Sequence, residues 1–94
     1  MNSFVRRGND LVAGAVAIYS WDWSDLMTDL EDSLSGSSWA VEGGITQASH
    51  DRDGDETAIK VEADTAGEAR AINTVTTTGG LTFIGTLCIT VRPV

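Results

Sequence analysis

The chain has little of the chemistry on which most enzymes and metal sites depend. Its 94 residues include one cysteine, one histidine and one proline. A single cysteine excludes an internal disulfide and a cysteine-rich zinc site, and it favours folding in the cytoplasm. Basic residues are also scarce, because six stand against fourteen acids and give a net charge of −8. A charge of that sign repels phosphate backbones, so we expect no direct binding to nucleic acid.

Long hydrophobic runs are missing as well. The longest, residues 11–19 (LVAGAVAIY), is far too short to span a bilayer. Two arginines precede it, as in a signal peptide, but cleavage within it would leave tryptophans at the new amino terminus. We therefore expect neither membrane insertion nor secretion. The length suits one small domain, and a hydrophobic fraction of 41% is too high for a disordered chain.

The aromatic residues are unevenly distributed, since all three tryptophans lie between residues 21 and 39. Aromatic side chains bury large areas, so this segment is predicted to seed the core. We predict that Trp39 and Trp23 are buried. Trp21 stands where an aliphatic residue would serve equally well, and we predict it to be exposed and to face a partner.

The remaining pattern indicates short strands. Residues 1–14 lack periodicity and are predicted to form an extended N-terminal arm, ordered on binding, before a sandwich domain over residues 15–94. Alternating apolar residues and Gly or Asp turns predict strands over 15–21, 37–42, 45–49, 57–63, 68–77 and 81–91. Between residues 22 and 30 the apolar residues fall at helical spacing, and Ser24 is predicted to cap a short helix there. The predicted fold is all-β: an immunoglobulin-like antiparallel β-sandwich with one short helical turn and the N-terminal arm.

Two positions within these strands have particular interpretations. Asn73 occupies the inward face of its strand, so we expect its amide to bind backbone groups of a neighbouring loop. Gly85 interrupts the last strand and indicates a bulge. That strand is expected to bury Leu81, Phe83 and the apolar residues that alternate after them.

The acidic run Asp51, Asp53 and Asp55 resembles a calcium loop in spacing only. The glycine of such a loop is misplaced and flanking helices are missing, so an exposed hairpin tip is the preferred interpretation, with weak calcium binding as the alternative. His50 and Cys88 lack the surroundings of a catalytic pair. Asp22 and Asp25 flank Trp23, and a carboxylate pair for acid–base chemistry is one interpretation. The preferred interpretation is a strand exit, of which Asp22 and Ser24 are typical, because their short polar side chains bond to nearby backbone amides. We predict no enzymatic activity, no cofactor and no metal site.

Six short strings occur together in a characteristic order. They are residues 19–26 (YSWDWSDL), 32–34 (DSL), 38–41 (SWAV), 65–68 (TAGE), 73–77 (NTVTT) and 88–92 (CITVR). In this order the chain resembles the small structural proteins of tailed phages known as fiber-tail adaptors. Residues before 15 lie outside the pattern, and Ala69 stands where the family usually has an aromatic residue.

This resemblance implies a non-enzymatic, multi-copy virion protein of the neck or tail, assembled in the host cytoplasm. It would link tail fibers to the tail or portal-proximal machinery, with tail fiber and portal, adaptor or nozzle subunits as partners. Capsid decoration (a cement protein) and a host- or glycan-binding sandwich that uses surface tryptophans are the alternatives. The residues expected to contact virion partners are Phe4, Val5, Arg6, Arg7, Leu11 and Val12 in the arm, together with Trp21.

Overall fold

The structure, a computed structural model, describes residues 3–94 as eight strands and one helix. The strands are β1 (Ser3–Arg7), β2 (Leu11–Val12), β3 (Val16–Asp22), β4 (Leu34–Glu42), β5 (Ile45–Asp53), β6 (Glu56–Ala63), β7 (Gly67–Thr77) and β8 (Thr82–Arg92). The helix α1 (Ser24–Leu30) lies between β3 and β4. Each strand predicted from the sequence is present, with ends shifted by a few residues.

The strands form two sheets that pack as a sandwich. One sheet has the order β1-β8-β7-β4, with β2 also paired to β8, and the other has the order β3-β6-β5. If β3 is taken as the second immunoglobulin strand, these sheets reproduce the B-E-D and C-F-G groupings of that fold. Trp39 on β4 then occupies the strand that carries the buried tryptophan of immunoglobulin domains. The predicted all-β sandwich is confirmed.

The core follows from period-two alternation on the central strands. On β6, Ile59, Val61 and Ala63 are fully buried. On β7 the predicted inward face is buried as well, at every second residue from Ala69 to Val75. Leu81 is the exception. It is exposed and lies in the turn before β8, where its backbone carbonyl accepts a hydrogen bond from the Thr77 amide.

The short helix begins and ends for local reasons. Ser24 is the first residue of the helix rather than its cap, because Trp23 occupies the N-cap position. The Ser24 backbone amide donates a hydrogen bond to the Asp22 carboxylate. At the other end Glu31 adopts a left-handed conformation with φ of 53°. The Glu31 and Asp32 amides return to the carbonyls of Thr28 and Met27, which is a Schellman ending.

The predicted arm contributes strands to the sheet. Ser3–Arg7 and Leu11–Val12 both run parallel to β8, and the Tyr19 hydroxyl donates to the Asn9 carbonyl between them at 2.5 Å. Burial and then the nearby Asp10 carboxylate raise the pKa of Tyr19. The first two residues of the arm lie outside the described residues, and the division into an arm over 1–14 and a sandwich over 15–94 stays a prediction.

The strand pairing is irregular at two places, and neither is the bulge predicted at Gly85. Gly85 pairs with Asn73 in an unbroken register, so the predicted bulge there is wrong. Register shifts occur instead between Leu34 and Gly36 on β4 and near Ala48 on β5. Gly85 serves close packing, since a Cβ there would lie 3.0 Å from the rings of both Trp21 and Trp23.

Candidate partner-binding site

A shallow groove runs between β1 and the corner where β3 leads into α1. Its volume is about 310 Å³. β1 forms one wall, and the first turn of α1 forms the other. The residues that line it are Phe4, Val5, Arg6, Trp21, Asp22, Trp23, Asp25 and Leu26.

The floor of the groove is a pair of stacked indoles. The rings of Trp21 and Trp23 lie 5.4 Å apart between centroids and 21° from parallel. Both rest against Gly85, where the missing side chain gives them room on β8. Phe4 closes the stack from β1, with its ring 5.7 Å from Trp23 in an edge-on arrangement. The geometry is the one that aromatic quadrupoles favour.

Charged groups lie at the mouth of the groove. The Arg6 guanidinium is 4.5 Å from the centre of the Trp21 ring, a cation–π distance. Hydrogen bonds from the Ser24 side chain and then its backbone amide lower the pKa of Asp22, and the nearby Arg6 acts in the same direction. The mouth of the groove therefore combines an aromatic surface, one arginine and an aspartate that stays ionised at neutral pH.

A buried polar network fixes the floor from behind. Trp23 Nε1 donates to Asn73 Oδ1 at 3.0 Å, and Thr57 Oγ1 donates to the same oxygen at 2.6 Å. The Asn73 amide nitrogen donates to Ser37 Oγ and to the Ser38 carbonyl, both at 2.9 Å. The expectation that this amide binds backbone groups of a neighbouring loop is wrong, because its single backbone partner, the Ser38 carbonyl, lies on strand β4. The other three hydrogen bonds go to side chains.

The structure separates the predicted contact residues into three groups. Phe4, Val5 and Arg6 line the groove, with Trp21 as its floor. Arg7 and Val12 are exposed outside the groove. The prediction that Trp21 is exposed is wrong, because the indole is 4% exposed beneath Arg6.

Leu11 is a second correction. It is buried at 8% exposure in the core beside β8, so its side chain cannot reach a partner while β2 stays paired. The burial of Trp21 was hard to predict because Arg6 on β1 and Gly85 on β8, which pack against its ring, are distant from it in sequence. Trp23 and Trp39 are buried as predicted.

The other candidate chemical groups lie far apart or are engaged locally. His50 is exposed on β5, whereas Cys88 is half-buried on β8 in the opposite sheet. The acidic run is a tight hairpin, as preferred, and Asp55 Oδ1 accepts the Leu34 amide at 3.1 Å. Within residues 3–94 no three acidic, histidine or cysteine side chains are grouped to hold a metal ion. In the same residues no helix has the length and apolar character to cross a bilayer.

A second shallow pocket lies on the outer face of the larger sheet. It has a volume of about 320 Å³ and is bounded by Cys88 and by the ion pair between Arg70 and Glu42, whose charged atoms are 2.6 Å apart. Both partners of that pair are more than half exposed, so it contributes little to stability.

Similarity to solved structures supports the fold. An endo-fucoidan hydrolase from glycoside hydrolase family 107 superposes with a TM-score of 0.67 over 96% of this chain, at 11% sequence identity. This chain spans only 13% of the length of that hydrolase chain. At this identity the likeness shows the sandwich fold alone.

Sequence similarity identifies the family. No curated protein matches the chain. The family model described as podophage GP4 fiber-tail adaptor protein gp77 matches residues 12–90, which include every strand from β3 to β7 and most of β8. That family is a class of phage structural proteins, and its members are components of the virion. The chain therefore belongs to the podophage fiber-tail adaptor family.

Proposed function

We propose that this adaptor links tail fibers to the tail or the portal-proximal machinery, in several copies at the neck or tail, after assembly in the host cytoplasm. The observation that carries the proposal is the family match over residues 12–90. Adaptor families of this kind imply contacts with other virion proteins. Repetition of one modest contact around a tail supplies avidity without a deep pocket.

The partner-facing surface is proposed to be the edge that β1 forms. All five residues of β1 are exposed, and Val5 and Phe4 add apolar area beside two arginines. Interfaces take much of their affinity from aromatic and arginine anchors surrounded by less important contacts. Phe4, Val5, Arg6, Arg7 and Val12 therefore remain the proposed contact residues.

The residues of the groove support a non-enzymatic role. The groove combines an aromatic floor with one arginine, and the pKa of Asp22 at its mouth is lowered rather than raised. A general acid at neutral pH requires a raised carboxyl pKa. A glycan-binding role relied on surface tryptophans, and the three indoles are each 8% exposed or less. Capsid decoration, the other alternative, differs from the proposal only in the location of the protein on the particle.

The experiment compares two matched exposed positions. Val5→Asp on β1 and Ile18→Asp on β3 each place a charge on a strand residue that is 75% and 70% exposed, respectively. Particles assembled with each variant are purified, and the adaptor content is measured by quantitative immunoblotting. Val5→Asp is expected to lower incorporation about tenfold, the effect of one good anchor. Equal incorporation of both variants would contradict the proposed surface.

A further inference from the structure

Strand β1 is held to the domain by one neighbour. Its five residues pair in parallel with residues 84–88 of β8, and its other edge carries no strand among the described residues. Parallel pairing is slightly weaker per residue than antiparallel pairing. All five residues of β1 are exposed. Among the strands of five or more residues, β1 is therefore the one that we expect to leave most easily.

The surface beneath β1 is nevertheless shaped for it. Phe4 lies opposite Gly85 and reaches Trp23, while Arg6 lies opposite Leu87 and covers Trp21. The strand thus presents an aromatic residue and a cation, two positions apart, to two stacked indoles. Backbone pairing supplies affinity and the two side chains supply specificity, as in β-strand addition.

The strand β1 lies outside the residues that match the family model, whereas the floor of the groove that it covers lies within them. The floor of the groove and its seat at Gly85 lie within residues 12–90, whereas β1 precedes them. A three-residue connection, Gly8 to Asp10, joins β1 to β2. The Gly8 amide donates to the Cys88 carbonyl at 2.9 Å, and Asp10 pairs with Arg92 at 2.8 Å, both near the protein surface.

We propose that β1 is exchanged between copies of this adaptor in the assembled particle. In the exchanged form, β1 of one copy pairs with β8 of its neighbour and inserts Phe4 and Arg6 into the neighbour's groove. A second copy is the assigned occupant because β1 is the segment whose complementarity to this groove the structure shows. Exchange of an identical element recreates the same contacts, so it is a low-cost route to association. The inference rests on the proposed function only in requiring several neighbouring copies.

A single substitution tests the exchange. Arg7 pairs with Cys88 in the β1–β8 register, and adjacent strands lie about 4.8 Å apart, within the Cα separation that a disulfide spans. Arg7→Cys in the full-length chain can therefore form a disulfide with Cys88 wherever β1 is docked. Equal amounts of ¹⁴N- and ¹⁵N-labelled chains are mixed during assembly into particles and oxidised with copper–phenanthroline, and cross-linked peptides are then analysed by mass spectrometry.

Exchange predicts mixed-isotope peptides that join β1 of one copy to β8 of another. Adding Phe4→Ala to the Arg7→Cys chain is expected to reduce them about tenfold, because the aromatic anchor is lost. The double variant Arg7→Cys/Cys88→Ser is the control for random contact between arms. Cross-links confined to single-isotope peptides, or no cross-links, would overturn the exchange. The proposed function is judged separately on the unmodified chain: its presence in purified particles leaves that function intact whatever the cross-links show, and its absence from particles overturns that function.

Discussion

At the scale of single residues, Asn73 is the side chain that joins most elements. It is fully buried, and its oxygen accepts two hydrogen bonds while its nitrogen donates two. This is the full capacity of an amide. Trp39 differs, because its Nε1 is buried without a hydrogen-bond partner. Asn73 thus holds β4, β6 and β7 and the Trp23 indole in one arrangement, and it orients the floor of the groove.

Removing this amide should be costly. Asn73→Ala leaves the buried Trp23 Nε1 without its partner and removes the hydrogen bond from Thr57, so we expect the free energy of unfolding to fall by about 3 kcal/mol. Thr74→Ala, on the outer face of the same strand, is the control and should cost much less. Urea denaturation followed by tryptophan fluorescence measures both. A loss below that of Thr74→Ala would show that the network is not stabilising.

Asp32 should govern part of the acid sensitivity. Hydrogen bonds from Thr78, then Thr77, then the Ser33 amide lower its pKa from 3.8 to about 2. Because the folded pKa is depressed, the stabilisation is complete above pH 3.8 and is lost as the pH falls through 2. Between pH 5 and pH 2, Asp32→Asn and Thr78→Val should therefore lose less stability than the unmodified chain in urea titrations. Parallel curves for all three proteins would contradict this assignment.

At the scale of elements, the alternation of apolar and polar residues predicted which faces of the central strands are buried. Strands β6, β7 and β8 bury every second residue, so their faces could be read from residues such as Ile59, Val75 and Ile89. All five residues of β1 are exposed, so no alternation of apolar residues marked it as a strand. The groove escaped prediction for the same reason, because it needs β1 and because burial of Trp21 depends on Gly85, far along the chain.

The ending of α1 offers a stabilising change. Glu31 has a positive φ, a conformation that costs non-glycine residues about 1–2 kcal/mol. Glu31→Gly should therefore raise the free energy of unfolding by about 0.5–1 kcal/mol, after allowing for the extra freedom of glycine in the unfolded chain. Asp29→Gly, inside the helix, should lower it by a few tenths of a kcal/mol. Thermal denaturation compares the two, and a change of the same sign in both would contradict the Schellman ending.

The seat of the indoles can be tested on β8. Gly85→Ala would place a Cβ 3.0 Å from the rings of Trp21 and Trp23, and overpacking of this kind costs about 1–3 kcal/mol. In Gly36→Ala the new Cβ would meet only the Thr76 hydroxyl, which makes this variant the matched strand control. The expected signature is a loss of stability with altered tryptophan fluorescence in Gly85→Ala alone. Equal effects in both variants would show that the indoles do not need the glycine.

At the scale of the whole molecule, charge is strongly segregated. Residues 22–32 and 51–56 carry nine carboxylates and one arginine, which equals the entire net charge of −8. The two segments meet at one end of the sandwich, where the Trp23 amide donates to the Asp55 carbonyl at 2.9 Å. The remaining five acids and five bases balance. Because like charges repel, the acidic ends of two copies disfavour contact with each other, whereas the β1 edge carries Arg6 and Arg7.

The central claim concerns where this sandwich is placed, and a cryo-electron microscopy map of the whole particle tests it most directly. The account predicts several copies of a domain about 45 Å long, each lying between a tail fiber and the tail or portal-proximal proteins. In those copies the β1 edge should face a neighbouring subunit. Density for the domain on the capsid surface, or at the tail with β1 facing solvent in every copy, would contradict the account.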